Sequence, residues 1–258
     1  MVQLDDATES WGGAPAHVHT LQLYDNDEFL VRVVGRFLSH ALTVGAPALV
    51  VATAPHRGAF AAALEAAGHD VAAVQQSGQL RFLDARTTLD LFMVHGSLDR
   101  RRFLELAGAT IQTLQALHPQ VPPHAYGEMV DLLARDGNHD AAIRLEELWN
   151  GLARTHRFSL LCGYGLAGFR GARDAIHLER VCNEHARVIP AEGYRAEASS
   201  DARAREIVRL QQRALSLEHE IMTRMRLERS LEEAVRAKEE LAAEVSHLRR
   251  RVGGLMDV

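Results

Sequence analysis

Short apolar runs alternate with longer amphipathic segments along most of this chain. Residues 19–24 alternate apolar and polar side chains and residues 48–53 are almost entirely apolar, and both patterns are typical of strands. Residues 27–41 carry apolar side chains at intervals of three and four, which predicts a helix that Asp25 or Asn26 can cap. This succession of strands and helices predicts an α/β fold with a mainly parallel sheet flanked by helices.

The same periodicities predict the remaining elements of the globular part. Further strands are expected at residues 80–85, 124–126 and 159–164. Further helices are expected at residues 57–67, 87–94, 99–117, 127–135, 140–154 and 175–185. Gly68 and Pro119 follow two of these segments and are typical of helix ends.

The composition changes near residue 199, after which glycine and proline are absent until Gly253. Apolar residues recur there at alternating intervals of three and four, which predicts the seam of a coiled coil whose register slips around residues 224–227. A parallel homodimer is the simplest way to cover so narrow a stripe, and folding back onto the globular part is the alternative. The seam positions are Ile207, Leu210, Ala214, Leu217 and Ile221, then Leu231, Ala234, Lys238, Leu241, Val245, Leu248 and Val252.

These patterns divide the chain into a flexible leader at residues 1–16, a globular domain at residues 17–197 and a helical stalk at residues 198–258. Composition excludes several classes of protein. The 47% of hydrophobic residues argues against disorder, and the net charge of −5 argues against a nucleic-acid binder. No apolar run is long enough to cross a membrane, and the two cysteines form no disulfide framework. We therefore expect a soluble, cytoplasmic protein.

Three motifs stand out because an ordinary core would not require their residue types. They are Gly-Glu-Met at residues 127–129, Leu-Glu-Glu-Leu-Trp-Asn at residues 145–150 and Leu-Cys-Gly-Tyr at residues 161–164. Together with Tyr24, they resemble the MEDS family, the sensory module of regulators of dichloromethane metabolism and of some sensor kinases. The resemblance covers residues 17–197 and implies a RecA/KaiC-like scaffold. It also implies a cytoplasmic sensor of small hydrocarbon derivatives, coupled to a kinase or DNA-binding output.

The sequence argues against enzymatic activity. A phosphate-binding loop would need glycines and a lysine, whereas residues 24–29 contain neither and carry three carboxylates. There is no Gly-x-Ser-x-Gly motif, and Cys162 lies in an apolar strand where a thiol is inert. We predict no ATP hydrolysis and no cofactor.

The predicted topology places a ligand site at the carboxyl ends of the parallel strands. The strand ends provide Tyr24, Asp25, Asp27, Thr53, His56, residues 126–128 and Tyr164. We hypothesise that they converge on one pocket for a small organic molecule. The alternatives are that the acidic residues only favour the start of a helix and that His56 and Arg57 belong to a surface loop. The predicted ligand-binding residues are His19, Tyr24, Asp25, Asp27, His56, Glu128 and Tyr164.

A metal site is not predicted. His17 and His19 can share one face of a strand, and Glu128 and Asp131 can add carboxylates, but no HxxxH or HExxH pattern occurs. Glu146 is expected to face solvent with its neighbour Glu147, and Trp149 to pack in the core.

The expected function is a signalling sensor that binds a small organic ligand and relays the signal through a dimeric coiled coil. The alternative is an interaction scaffold that regulates a partner kinase or transcription factor without a small ligand. The segment around His247 resembles the phosphoacceptor region of sensor histidine kinases, but the usual continuation is missing and eleven residues follow it. We expect His247 to be a solvent-facing stalk residue.

Overall fold

The computed structural model describes residues 18–169, 174–192 and 200–253, and in the last range side chains at 208, 210–217, 219–243 and 245. The chain divides into two compact units, Met1–Ala196 and Glu197–Val258. The predicted leader at residues 1–16, His17, and the side chains of Ile207, His247, Leu248 and Val252 lie outside the described residues.

A six-stranded parallel sheet forms the centre of the first unit, with strand order β3-β2-β6-β7-β1-β8. Two further strands, β4 and β5, pair as a short antiparallel hairpin. The strands are β1 (His19–Tyr24), β2 (Ala48–Ala52), β3 (Leu80–Asp84), β4 (Met93–Val94), β5 (Ser97–Leu98), β6 (His124–Gly127), β7 (Ser159–Gly165) and β8 (Arg187–Ile189).

Helices cover both faces of the sheet, so the predicted α/β fold with a mainly parallel sheet is confirmed. The helices are α1 (Asp27–Thr43), α2 (Ala54–Ala66), α3 (Val71–Gln76), α4 (Ala85–Asp90), α5 (Arg100–Leu117), α6 (Met129–Arg135), α7 (His139–Ala153), α8 (Asp174–Asn183) and α9 (Ser200–Gly253). One core joins α1 and α2 to one face of the sheet. A second core joins the helices from α4 to α8 to the other face.

The two cores follow from the alternation of side chains along each strand. All five residues of β2 are buried, with Leu49 and Val51 in one core and Val50 in the other. Strand β2 continues through α2 towards one edge of the sheet, whereas β6 continues through α6 and α7 towards the opposite edge. Because neighbouring strands lead away from each other here, the position between their carboxyl ends is the topological switch point at which open parallel sheets bind ligands. We call this position the crevice.

Several small elements differ from the predictions. The helix predicted at residues 87–94 ends at Asp90, and the hairpin β4–β5 follows it. Its two turn residues, His95 and Gly96, have φ angles of 50° and 79°, as a tight hairpin turn requires. Helix α6 begins at Met129 rather than at residue 127, because Gly127 still pairs in the sheet. Helix α3 and strand β8 were not predicted, since each is very short.

The second unit is a single helix of 54 residues, which confirms the predicted long C-terminal helix. Its seam residues with described side chains are exposed in the single chain, for example Leu217 at 55% and Leu231 at 65%. No helix among the described residues combines the length and the apolar character needed to cross a bilayer.

Candidate functional site

Glu128 occupies the crevice between β2 and β6 and is only 2% exposed. One carboxylate oxygen accepts the backbone N–H of Thr53, the residue that follows β2. The other oxygen lies 2.6 Å from Nδ1 of His56 and accepts the hydroxyl of Tyr126 at 3.1 Å. A carboxylate from one strand end is therefore held by donors from both sides of the crevice.

The pair formed by His56 and Glu128 favours its ionised form. Burial lowers the pKa of His56, but the hydrogen bond to Glu128 and the charges of Glu128 and Asp27 outweigh it and raise the pKa overall. Burial likewise raises the pKa of Glu128, but His56 and the Thr53 N–H outweigh it and lower the pKa overall. The second ring nitrogen of His56, Nε2, lies 3.4 Å from the exposed carboxylate of Asp27. The His56 ring thus lies between two carboxylates.

A second set of polar groups lies beside this pair. The Tyr24 hydroxyl donates to Oδ2 of Asp131 at 3.1 Å and accepts from Arg135 at 3.0 Å. Arg135 also pairs with Asp131 at 2.7 Å, and the Gly165 N–H at the end of β7 donates to the other oxygen of Asp131 at 2.8 Å. Burial and the neighbouring Asp131 raise the pKa of Tyr24 far above its usual range, so its hydroxyl stays protonated.

The rings of Tyr24 and His56 meet edge-on at a centroid distance of 6.4 Å, which joins the two sets of polar groups. We call the whole group the edge cluster. It consists of Tyr24, Asp27, His56, Tyr126, Glu128, Asp131 and Arg135.

A glycine in β7 leaves room for the edge cluster. A Cβ atom at Gly163 would lie 2.5 Å from the hydroxyl oxygen of Tyr126. Because Tyr126 is fully buried, it could not move aside cheaply. The contact with Tyr126 therefore explains why the Leu-Cys-Gly-Tyr motif has a glycine at position 163.

The edge cluster contains four of the seven predicted ligand-binding residues, namely Tyr24, Asp27, His56 and Glu128. The other three lie elsewhere. Asp25 is next to the cluster, where its backbone N–H donates to the Glu192 carboxylate. His19 and Tyr164 lie on the opposite face of the sheet, since β1 and β7 alternate their side chains between faces.

The starts of helices α1 and α2 bear on the two local alternatives. Asn26 caps α1, because its side-chain oxygen accepts the Phe29 N–H at 2.8 Å, while Asp27 lies in the first turn. His56 belongs to the first turn of α2 and its side chain is only 12% exposed, so it is not part of a surface loop.

A second polar cluster lies on the opposite face of the sheet, and we call it the inner cluster. It consists of His19, Glu146, Cys162 and His185. The prediction that Glu146 faces solvent is wrong, since this residue is fully buried. Helix α7 packs the face that carries Glu146 against the sheet. His19 and His185 are polar partners of the Glu146 carboxylate and reduce the cost of burying it. Trp149 packs in the core as predicted, edge-on against Phe103 at 5.0 Å.

Sequence reasoning missed Arg135 in the edge cluster and His185 in the inner cluster. The signal for Arg135 was its i, i+4 spacing from Asp131 on one helix. No local pattern pointed to His185, which comes near Glu146 only through tertiary folding.

A comparison with known protein families gives a match over most of the first unit. The model of the MEDS family, described as MEthanogen/methylotroph, DcmR Sensory domain, matches residues 18–186. The chain belongs to the MEDS family. The predicted resemblance is thus confirmed, and this MEDS domain has a role as a signalling sensor. Every residue of the edge and inner clusters lies within the matched range. No curated protein matches the chain.

Proposed function

We propose that this MEDS domain binds a small organic ligand at the edge cluster and that α9 relays the binding to a second copy of the chain. The observation that carries this proposal is the position of the His56–Glu128 pair. It lies in the crevice between two strands that lead in opposite directions, where open parallel sheets bind their ligands.

The edge cluster offers both cationic donors and carboxylate acceptors to a ligand. Arg135 is 46% exposed, so a ligand can reach its guanidinium from solvent. His56 can donate through Nε2 when a ligand displaces the exposed Asp27 carboxylate. Hydroxyl, carbonyl or carboxylate oxygens suit these donors. An apolar cavity beside Phe103 and Trp149 has a volume of only about 20 Å³, room for little more than one water molecule. This cavity is therefore too small for an organic ligand.

The exposed seam of α9 supports the relay. Leu217, Ile221 and Leu231 would be covered in a parallel homodimer, as in other coiled coils. A ligand can transmit information only if it binds one arrangement of the dimer better than another. The register of the apolar seam of α9 shifts near residue 224, so two paired helices can pack in two different registers.

The test is a thermal-shift screen of the full chain with small alcohols, ketones, carboxylic acids and halogenated hydrocarbons. The Glu128→Gln variant should lose the stabilisation by a hit compound. The Glu105→Gln variant should keep it, because Glu105 is an exposed residue of α5 outside the edge cluster that pairs with its helix neighbour Arg101. Equal shifts in both variants would refute binding at the edge cluster.

The same exposed seam also favours the alternative, a scaffold that binds a partner kinase or transcription regulator through α9. Single cysteines along α9 can be crosslinked with and without the hit compound. A ligand-dependent crosslinking pattern supports the relay. The scaffold is supported if the crosslinking pattern is the same with and without the compound and if the Glu128→Gln variant still captures the partner.

A further inference from the structure

We propose that the inner cluster binds one divalent transition-metal ion through His19, Glu146, Cys162 and His185, and that zinc fits it best. The four residues come from β1, α7, β7 and the segment after α8. Their candidate ligand atoms all lie within 4.8 Å of one another.

The orientation of the His19 ring is set by Asn150. The side-chain nitrogen of Asn150 donates to the backbone carbonyl and to the carboxylate of Glu184, at 2.8 and 2.9 Å. Its oxygen therefore faces Nδ1 of His19, at 2.8 Å, and accepts a hydrogen bond from the N–H there. Nε2 of a neutral His19 consequently has a free lone pair, and it lies 3.2 Å from Glu146 and 3.3 Å from the Cys162 sulfur.

His185 has the same arrangement. Its Nδ1 lies 2.7 Å from the backbone carbonyl of Val181, which can only accept a hydrogen bond. Its Nε2 is buried, has no hydrogen-bond partner among the described residues, and lies 3.4 Å from Oε1 of Glu146, which also has none. Two ring nitrogens therefore face one buried carboxylate, and positive charge between them, from a metal ion or from a proton, stabilises the cluster.

The spacing and the charges fit a zinc ion. Tetrahedral zinc with bonds of about 2.0–2.3 Å keeps its ligand atoms about 3.3–3.7 Å apart. Four contacts in the cluster, at 3.2 to 3.4 Å, are close to these separations, and the whole set of ligand atoms lies within 4.8 Å. One thiolate and one carboxylate also balance the two positive charges of the ion. Four protein ligands close the coordination sphere, which is typical of a structural site rather than a catalytic one.

The surroundings provide the support that metal-bound histidines need. A histidine ligand usually donates its other ring N–H to a carbonyl or carboxylate. Here the Asn150 side-chain oxygen accepts from His19, and the Val181 carbonyl accepts from His185. Burial and the Glu146 carboxylate raise the pKa of Cys162 well above its usual range, so metal binding should release the thiol proton. The absence of a predicted metal site reflects the fact that Glu146 and His185 could not be placed from sequence.

The test uses the full chain without a histidine tag, stripped with a chelator and then titrated with Co²⁺ or Zn²⁺. Metal content after dialysis should reach one ion per chain, and the Co²⁺ form should show a thiolate-to-cobalt charge-transfer band. Cys162→Ser should lose that band and most of the affinity, whereas Cys182→Ser should keep both, because Cys182 lies outside the cluster. Asn150→Ala should weaken binding about 10- to 100-fold.

The proposal is overturned if the wild-type chain, folded by circular dichroism, binds no metal at stoichiometric concentration, since protons alone then satisfy the cluster. It is also overturned if Co²⁺ binds without the thiolate band. A His185→Gln variant provides a second check where Cys162→Ser does not fold. Unchanged stoichiometry and affinity in this variant would place the metal elsewhere.

Discussion

Replacing Glu128 by glutamine isolates the charge of the edge cluster. Glutamine keeps the size of the side chain, and its oxygen can still accept the Thr53 N–H. The variant loses the charged hydrogen bond to His56, which measures 2.6 Å. Hydrogen bonds that involve charged groups contribute about 1.5–3 kcal/mol. Because Glu128 is 2% exposed and His56 is 12% exposed, solvent screens this contact little. We expect Glu128→Gln to lower the free energy of unfolding by about 2–3 kcal/mol at pH 6.

The loss should depend on pH in a defined direction. The pKa of His56 is raised in the folded chain, because Glu128 and Asp27 outweigh its burial. A raised pKa means that the pair stabilises the fold fully below the unfolded-state pKa, about 6.5 for histidine. That stabilisation disappears as the pH rises through the folded-state pKa. The difference between wild type and Glu128→Gln should therefore be larger at pH 6 than at pH 9.

Urea unfolding followed by the fluorescence of the buried Trp149 measures this difference at both pH values. Glu105→Gln is the control, since its exposed i, i+4 pair should contribute at most about 0.5 kcal/mol at either pH. Other titrating groups, including the inner cluster, are shared by both chains and cancel in the comparison. A difference that stays constant, or that grows towards pH 9, would refute the assignment of an ionised His56–Glu128 pair.

Two further predictions address packing and assembly. Gly163→Ala should lower the free energy of unfolding by about 1–3 kcal/mol, because its Cβ would collide with Tyr126, and this loss would appear in urea unfolding. Gly127→Ala on the neighbouring strand meets nothing within 4 Å and should leave stability unchanged or slightly raised, so equal losses would contradict the steric argument. Leu217→Lys should shift the chain towards monomer in sedimentation experiments, because it places a charge in the predicted seam. Leu215→Lys lies off the predicted seam and should leave the oligomeric state unchanged. A monomeric wild type would rule out the homodimer.

The edge of the sheet was the most predictable part of the site. Strands and helices could be recognised from periods of two and 3.6, and parallel strands align their carboxyl ends whatever their order. This rule needs no knowledge of long-range contacts. It brought Tyr24, His56 and Glu128 together from sequence, although they are up to 104 residues apart, the span from residue 24 to residue 128.

The inner cluster was not predictable because it depends on strand order and register. Cys162 lies opposite Leu21 in the sheet, which brings it to the same face as His19, and no local pattern encodes that register. One signal was available for His19 itself. It is five positions from Tyr24 on one strand, and an odd separation places the two side chains on opposite faces. Counting along β1 would have separated His19 from the edge cluster.

Strand β7 connects the two clusters although they occupy opposite sides of the sheet. Its Cys162 side chain contributes to the inner cluster, Gly163 makes room for Tyr126, and the Gly165 N–H holds Asp131. We therefore expect a ligand that moves β7 at the edge to displace the Cys162 thiol of the inner cluster as well. Coupling between two binding sites is reciprocal, so a ligand that changes metal affinity by some factor has its own affinity changed by the metal to the same extent. The metal content of the chain would then set the affinity of the sensor for its ligand. Two sets of titrations test this coupling. Ligand titrations of metal-loaded and metal-free protein should give the same coupling free energy as metal titrations with and without ligand.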